Sequence, residues 1–233
     1  MTDQAPPQGN GVLNPGPTTD SPSSGSLICI PLTESDVEES ARLYTEVFLA
    51  EEPVPQGREP DPVWFLNYSR QYARYLAGKN LSFVVRDQDT HHLAGFIFCN
   101  DMADTPESVG EWVFEILAEF REVITMITEL EDRHINRQKI VPGSMLHLVH
   151  VGVSQSYRGK GLAQLMTRKA LAHAQERGFS HVIADCINQA SRHSCEKCGF
   201  HEAGFSSYEA FSLDGDRPFA GREGGIFLML MDM

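Results

Sequence analysis

The sequence predicts an α/β protein built on a mixed sheet. Two observations carry that prediction. Runs with β-type alternation take turns along the chain with segments whose apolar residues recur every three or four positions. The stretch "VHVGVSQSYRGKGLAQLMTRKALAHA", Val149 to Ala174, also switches from the first pattern to the second across Arg158-Gly159-Lys160-Gly161, as a strand feeding a helix would.

Taken in order, residues 1–26 are rich in Pro, Gly, Ser and Thr and hold almost no large apolar side chains. Such a segment cannot bury enough surface to offset its ordering entropy, so a disordered tail is expected ahead of one domain over 27–233. "LICIPL" reads as a strand. A helix is expected over Asp36–Ala50, with Val37, Ala41, Tyr44, Val47 and Phe48 at helical spacing and Thr33 or Ser35 as cap. Prolines keep "AEEPVPQGREPDP" out of a helix. A second helix, Val63–Ala77, carries Trp64, Tyr68, Tyr72 and Tyr75, with Gly78 as its stop. "LSFVVRD" and "LAGFIFCND" form a hairpin around "QDTHH". One long helix is expected over Glu107–Arg137, because Trp112, Ile116, Phe120, Val123, Ile127 and Leu130 recur at its period. After Pro142-Gly143 come the strand "MLHLVHVGV", a helix from Gly161 to Gly178, the strand "HVIADCI", a short helix over Ala190–Lys197, and strands in "HEAGFSSYEAF" and "GGIFLMLMDM".

Composition narrows the function. The 233 residues carry a formal net charge of −13, which argues against a nucleic-acid partner or an anionic membrane surface. No apolar run reaches the roughly 18 residues of a membrane span. The N-terminus lacks the basic and apolar regions of a secretory signal. Five cysteines, an odd count, fit free thiols in a reducing, cytoplasmic setting.

The strand-to-helix junction is the first candidate site. Backbone N–H groups at a helix N-terminus carry partial positive charge, glycines let an oxygen approach them, and Arg158 and Lys160 add full charges. Together they suit a phosphate or pyrophosphate. The GxxxxGK[ST] and GxGxxG loops are absent.

"VSQSYRGKGLA" resembles motif A of the GNAT superfamily of N-acetyltransferases, V-x-x-x-x-R-G-x-G-x-A, with every fixed position present. "NQASRHSCEKCGF" is similar to the family's motif B. The resemblance spans about Leu27 to the C-terminus. It implies a mostly antiparallel central sheet with flanking helices (the GNAT acyl-CoA N-acyltransferase fold) and acetyl-CoA as co-substrate. By the same resemblance, Arg158, Gly159, Lys160, Gly161, Leu162 and Ala163 cradle the CoA pyrophosphate. Val151, Gly152 and Val153 pair with the pantetheine arm, and an N–H near Val151 stabilises the oxyanion. Asn188 contacts the pantetheine or the substrate end.

Glu52-Pro53, after a helix ending in aromatic residues, looks like the Glu-Pro of insect-type arylalkylamine N-acetyltransferases, where the glutamate is the proposed general base. Cys186, Ser191, Glu196, Lys197, Gly199 and Phe200 fall in register with that group's motif B segment; Asn188 departs from it, standing where one of two serines belongs. A carboxylate makes chemical sense, because an ammonium must lose a proton before it can attack. The vertebrate-type enzymes use two histidines on the strand before motif A. His147 occupies one of those positions, as a candidate proton relay ranked below Glu52, and Val149 the other. Strict alternation puts His147 on the face of Val149, Val151 and Val153, and His150 on the opposite one. Many family members protonate the leaving thiolate from a tyrosine; Cys195 stands at that position, with Ser191 as the other donor.

Other readings stay open. Cys195, Cys198, His193 and His201 form half of a zinc-type pattern, but no second C-x-x-C completes it, and no metal is expected. A CoA-binding regulatory domain without chemistry would keep the RGKG loop. Polyamines and protein amines are further acceptors. The expected acceptor is a small primary amine, most of all an arylalkylamine.

Overall fold

The computed structural model describes residue 1, residues 27–55 and residues 57–233; the expected tail, residues 1–26, therefore lies outside the described residues apart from Met1. Seven strands and seven α-helices make up the described chain: β1 (Leu27–Pro31), α1 (Val37–Glu51), α2 (Pro62–Lys79), β2 (Phe83–Asp87), β3 (Leu93–Asp101), α3 (Pro106–Val109), α4 (Val113–Glu119), α5 (Arg121–His134), β4 (Met145–Val153), α6 (Leu162–Glu176), β5 (His181–Cys186), α7 (Gln189–Glu196), β6 (His201–Ser207) and β7 (Gly225–Asp232). The sheet runs β1-β2-β3-β4-β5-β7-β6. Every neighbouring pair is antiparallel except β4–β5. This is the mixed, mostly antiparallel sheet that the sequence predicts.

Each face buries one apolar layer. Tyr44, Phe48, Phe65, Tyr72, Leu76, Met126 and Leu130 of α1, α2 and α5 cover Val84, Phe96, Phe98, Ile183 and Leu228. Leu162, Met166, Ala170 and Ala174 of α6 cover Val85, Ile97, Leu146, Leu148, Val182 and Met229 on the other side. The strand residues thus alternate between faces with period two. Among the described residues no helix is long and apolar enough to cross a membrane.

Two helix boundaries expected from the sequence need correction. The α2 helix does not stop at Gly78. It runs on to Lys79, whose ammonium bonds Asp104 at 2.8 Å, and Asn80 in the left-handed conformation (φ 54°) ends it. Asparagine tolerates that region better than most residues. Nor is Glu107–Arg137 one helix. Gly110 at φ 137° separates α3 from α4, and Phe120 (φ −107°, ψ 28°) separates α4 from α5. The Phe120 ring sits edge-on to Phe48 and Phe65. Burying that ring in the aromatic layer outweighs the hydrogen bonds that a continuous helix would keep.

The feature that shapes the site lies in β4. Its parallel pairing with β5 runs from Met145–His181 to Leu148–Ala184 and stops there, while β4 continues to Val153 against β3. At the same level Phe98 pairs with His150 and Cys99 with Leu148, so Val149 is an extra residue in the β4 ladder, a β-bulge. The sequence analysis had His147 and His150 on opposite faces. The bulge resets the alternation and brings both to the α1–α5 face. Here His150 meets Tyr44, with Nε2 and the hydroxyl 2.9 Å apart, and His147 meets Asp185.

Gly152 follows the bulge, and a Cβ built on it would collide with the Phe96 ring. We expect Gly152→Ala to cost about 1–3 kcal/mol, as overpacking does, measured as a lowered urea midpoint with an unchanged slope.

Candidate functional site

Where β4 and β5 part, the sheet opens into a cavity of about 510 Å³. Its walls are the α1 C-terminus, the aromatic layer, the end of β5 and α7. Of the sequence-predicted site residues, Glu52, His147, Val151, Val153, Arg158, Ala163, Asn188 and Ser191 all line it. Gly152 lies between two of them with its Cα against Phe96. Gly159 (φ 77°), Lys160 and Gly161 (φ 75°) form the loop that enters α6. Leu162 is instead part of the core under α6. The Lys160 ammonium lies 4.9 Å over the Tyr157 ring.

The loop and the first turn of α6 form a run of free donors. Among the described residues, none of the N–H groups of Gly159, Lys160, Gly161, Leu162 and Ala163 donates to a backbone acceptor in a turn or cap. The helix dipole adds partial positive charge at that end. Arg158 lies across the cavity mouth, with a guanidinium nitrogen 2.7 Å from Glu51 on the last turn of α1. The free β4 edge beyond Leu148 adds main-chain groups that have no β5 partner. A pyrophosphate-bearing chain with peptide-like groups fits this combination of cradle and open strand edge.

The opposite wall holds the titratable groups. Glu52 ends α1, its N–H donating to the Phe48 carbonyl. Burial pushes its carboxyl up to about 8, against the pull of Arg222. Arg222 lies 5.0 Å over the Tyr208 ring, and the Tyr208 hydroxyl donates to the Ile187 carbonyl. Burial drives His150 down to about 3, so it stays neutral in its aromatic pocket. Burial also acts downward on His147, but the hydrogen bond and charge of Asp185, together with Glu131, outweigh it and leave the imidazole above its ordinary value.

The motif B residues serve the helix as well as the cavity. Asn188 caps α7 by accepting from the Ser191 N–H at 2.9 Å, and the Ser191 hydroxyl donates to the Asn188 carbonyl at 2.9 Å. Cys195 is buried with its sulfur 3.6 Å from that of Cys186, both on the cavity wall. His193 turns to Glu196, and Cys198 approaches the Gln164 carbonyl. The zinc-type pattern therefore does not converge on one point.

The acetyltransferase (GNAT) family model matches residues 41–200, more than half of the chain. The chain belongs to the GNAT acetyltransferase family. Its activity class is therefore acetyl-CoA-dependent N-acetyl transfer. Among solved structures, arylalkylamine N-acetyltransferase 2 from Aedes aegypti is 17% identical and superposes with a TM-score of 0.69, covering 88% of this chain and 98% of its own. The Drosophila melanogaster polyamine N-acetyltransferase, an enzyme that forms N-acetylagmatine, is 13% identical with a TM-score of 0.71 over 89% and 100%. The C-terminal condensation domain of Ebony, solved with β-alanyl-dopamine, is 16% identical with a TM-score of 0.71 over 90% and 100%. At such identities the likeness is one of GNAT fold.

Sequence reasoning left out Asp185, Glu131 and the Glu51–Arg158 pair. Asp185 had a signal, a lone charge inside the apolar strand "HVIADCI". Glu131 also had one, since it falls four residues after Ile127 on the apolar face of α5. Tyr208 and Arg222 gave none, because only tertiary structure brings them near this end of the molecule.

The two raised carboxyls set a pH dependence of stability. Glu131 is pushed to about 7 by burial and by the charge of Asp185. Between their ordinary value and the raised one, the folded chain holds protons that the unfolded chain has released, so stability falls as pH rises. His147 acts in the same direction, whereas depressed His150 acts oppositely below its ordinary value of 6.5. From about pH 6.5 to 8 the unfolding free energy should fall by on the order of 1 kcal/mol per pH unit. Urea titrations at several pH values measure this, and Glu52→Gln should remove most of the slope above pH 7.

Proposed function

We propose that this GNAT enzyme acetylates a small primary amine, most of all an arylalkylamine, by direct attack on the thioester of acetyl-CoA in a ternary complex, with Glu52 as general base. The observation that carries this reading is Glu52 itself: a carboxyl at about 8, on the wall of the cavity that the unpaired β4 edge opens. A base poised near the working pH is half available and still strong enough to strip an ammonium. On binding, a substrate cation would also favour the charged carboxylate.

In this reading the donor enters along β4, its diphosphate on the N–H groups of Gly159 to Ala163 and on Arg158, its pantetheine beside Val151, Gly152 and Val153. A β4 amide near Val151, just beyond the bulge, would take up the oxyanion that forms at the thioester carbonyl. Asn188, Ser191 and Cys195 form the far side of the channel. Ser191 or Cys195 would return a proton to the thiolate. The acceptor half is walled by Phe48, Tyr68, Tyr72, Phe96 and Phe120. Such rings favour an aromatic side chain and a cation by face contact. Polyamines are the second reading, favoured by the carboxylates Glu51, Glu52 and Asp185 that line the cavity.

A panel of arylalkylamines, polyamines and peptides, incubated with acetyl-CoA and read by thiol release, tests the acceptor class. The expected result is turnover with arylalkylamines and at most weak turnover with peptides. Glu52→Gln should lower kcat about 100-fold or more and abolish the rise of kcat/KM toward pH 8; a profile matching the unaltered enzyme would remove Glu52 from the role. Arg158→Ala combined with Gly161→Val should weaken acetyl-CoA binding by at least about tenfold in calorimetry, because it removes a charged contact and the left-handed turn that exposes the amides.

A further inference from the structure

Beneath the point where β4 and β5 part, three side chains from three elements meet. His147 of β4 lies 2.9 Å, Nε2 to Oδ2, from Asp185 of β5, and Glu131 of α5 completes a group whose ligand atoms all lie within 4.8 Å of one another. Glu131 is only 2% exposed. Asp185 Oδ1 and Glu131 Oε1 are both buried with no hydrogen-bond partner among the described residues. The other Glu131 oxygen is held by Arg137, which also bonds Asp132 at 2.9 Å. Asn100 faces His147 from β3, and His150 lies on the same face of β4.

Two shut-in carboxylate oxygens without a donor repel each other. One proton between them removes the repulsion and supplies the missing hydrogen bond. With that proton and the Arg137 charge, the Glu131–Asp185 pair is balanced while His147 is neutral. An Nε2–H donating to Asp185 fixes the imidazole tautomer. Nδ1 is then the ring atom left with a free lone pair. It has no partner among the described residues and is not among the enclosed atoms, and His147 lines the cavity.

We propose that Asp185 and Glu131 are positioning residues for His147, holding its tautomer so that Nδ1 accepts one of the two protons an acceptor ammonium must lose. This rests on the amine-acetylating reading above. The bookkeeping closes. The first N–H bond breaks to Glu52, leaving its electron pair on nitrogen for attack. The second breaks after the C–N bond forms, its proton passing to Nδ1 and leaving a neutral amide. The C–S bond breaks with its electron pair on sulfur, and the proton on Nδ1 replaces the one that Ser191 or Cys195 gives to the thiolate, so that CoA leaves as the thiol. Asp185 faces the imidazolium that exists between those transfers, and the proton shared with Glu131 adjusts to it. The arrangement supplies a proton for the thiolate although Cys195 stands where the family's tyrosine would.

Imidazole NMR titration of the full chain, with kinetics at several pH values, tests this. Asp185→Asn keeps the shape and removes the charge. It should lower the His147 titration by about one pH unit or more and reduce kcat roughly tenfold to hundredfold, with the amine KM little changed. The acid limb of the kcat profile should move to lower pH. Glu131→Gln should shift the His147 titration the same way by less, and Asp185→Asn added to His147→Gln should cost no further kcat. A His147 titration indifferent to Asp185→Asn, or an equal kcat loss in the His147→Gln background, overturns the proposal. A wild-type chain that binds acetyl-CoA but acetylates no amine overturns the acceptor reading instead, and the NMR arm still decides the positioning.

Discussion

The parallel hydrogen bonding between β4 and β5 ends at Leu148–Ala184, and Val149 is inserted at the same level of the neighbouring ladder. A sheet that kept pairing here would have no cavity, because strands in register lie less than 5 Å apart. Ending the ladder leaves one strand edge with unmet main-chain groups, which cannot stay buried and dry without a partner. The bulge also re-aims two histidines. Gly152 lets Phe96 close the floor beneath the break. Cavity, exposed edge and the common face of His147 and His150 all follow from one interruption in one strand pair.

Charge is distributed to suit that opening. The chain as a whole is acidic at −13, yet Arg158 and Ala163 line the α6 end of the cavity, and the loop between them carries amides with no turn or cap acceptor among the described residues. The carboxylates gather on the other side, where the same burial has different results for each group. Glu52 has no close donor among the described residues and rises. His150, beside a tyrosine hydroxyl and aromatic rings, is locked neutral. His147, backed by Asp185, goes up in spite of burial. Three groups within one pocket are thus set to different protonation states by their nearest neighbours rather than by depth.

Much of this was legible beforehand. The glycine-and-cation junction before Leu162 announced the strand-to-helix turn with its exposed amides, because a left-handed turn needs only local sequence. Element order was legible for the same reason. What could not be read locally was what tertiary packing decides. The break at Phe120 exists because a ring is worth more in the aromatic layer than in a regular helix. The flip of His150 follows from a bulge that no residue type in "MLHLVHVGV" announces. Asp185 and Glu131 each interrupt an apolar pattern, but they are remote in sequence and nothing in either segment says that they meet.

The end of α1 joins two jobs on adjacent residues. Glu51 reaches across to Arg158 at the loop that enters α6, and Glu52 turns into the opposite wall. A designer who wished to retarget the acceptor pocket by remodelling this segment would find the two halves of the cavity mechanically inseparable. Lengthening or rotating the last turn by one residue would swing both carboxylates by about 100° around the helix axis. Change confined to the aromatic rings of α2 and the α4–α5 corner, by contrast, would reshape one side of the cavity and leave the Glu51–Arg158 contact in place.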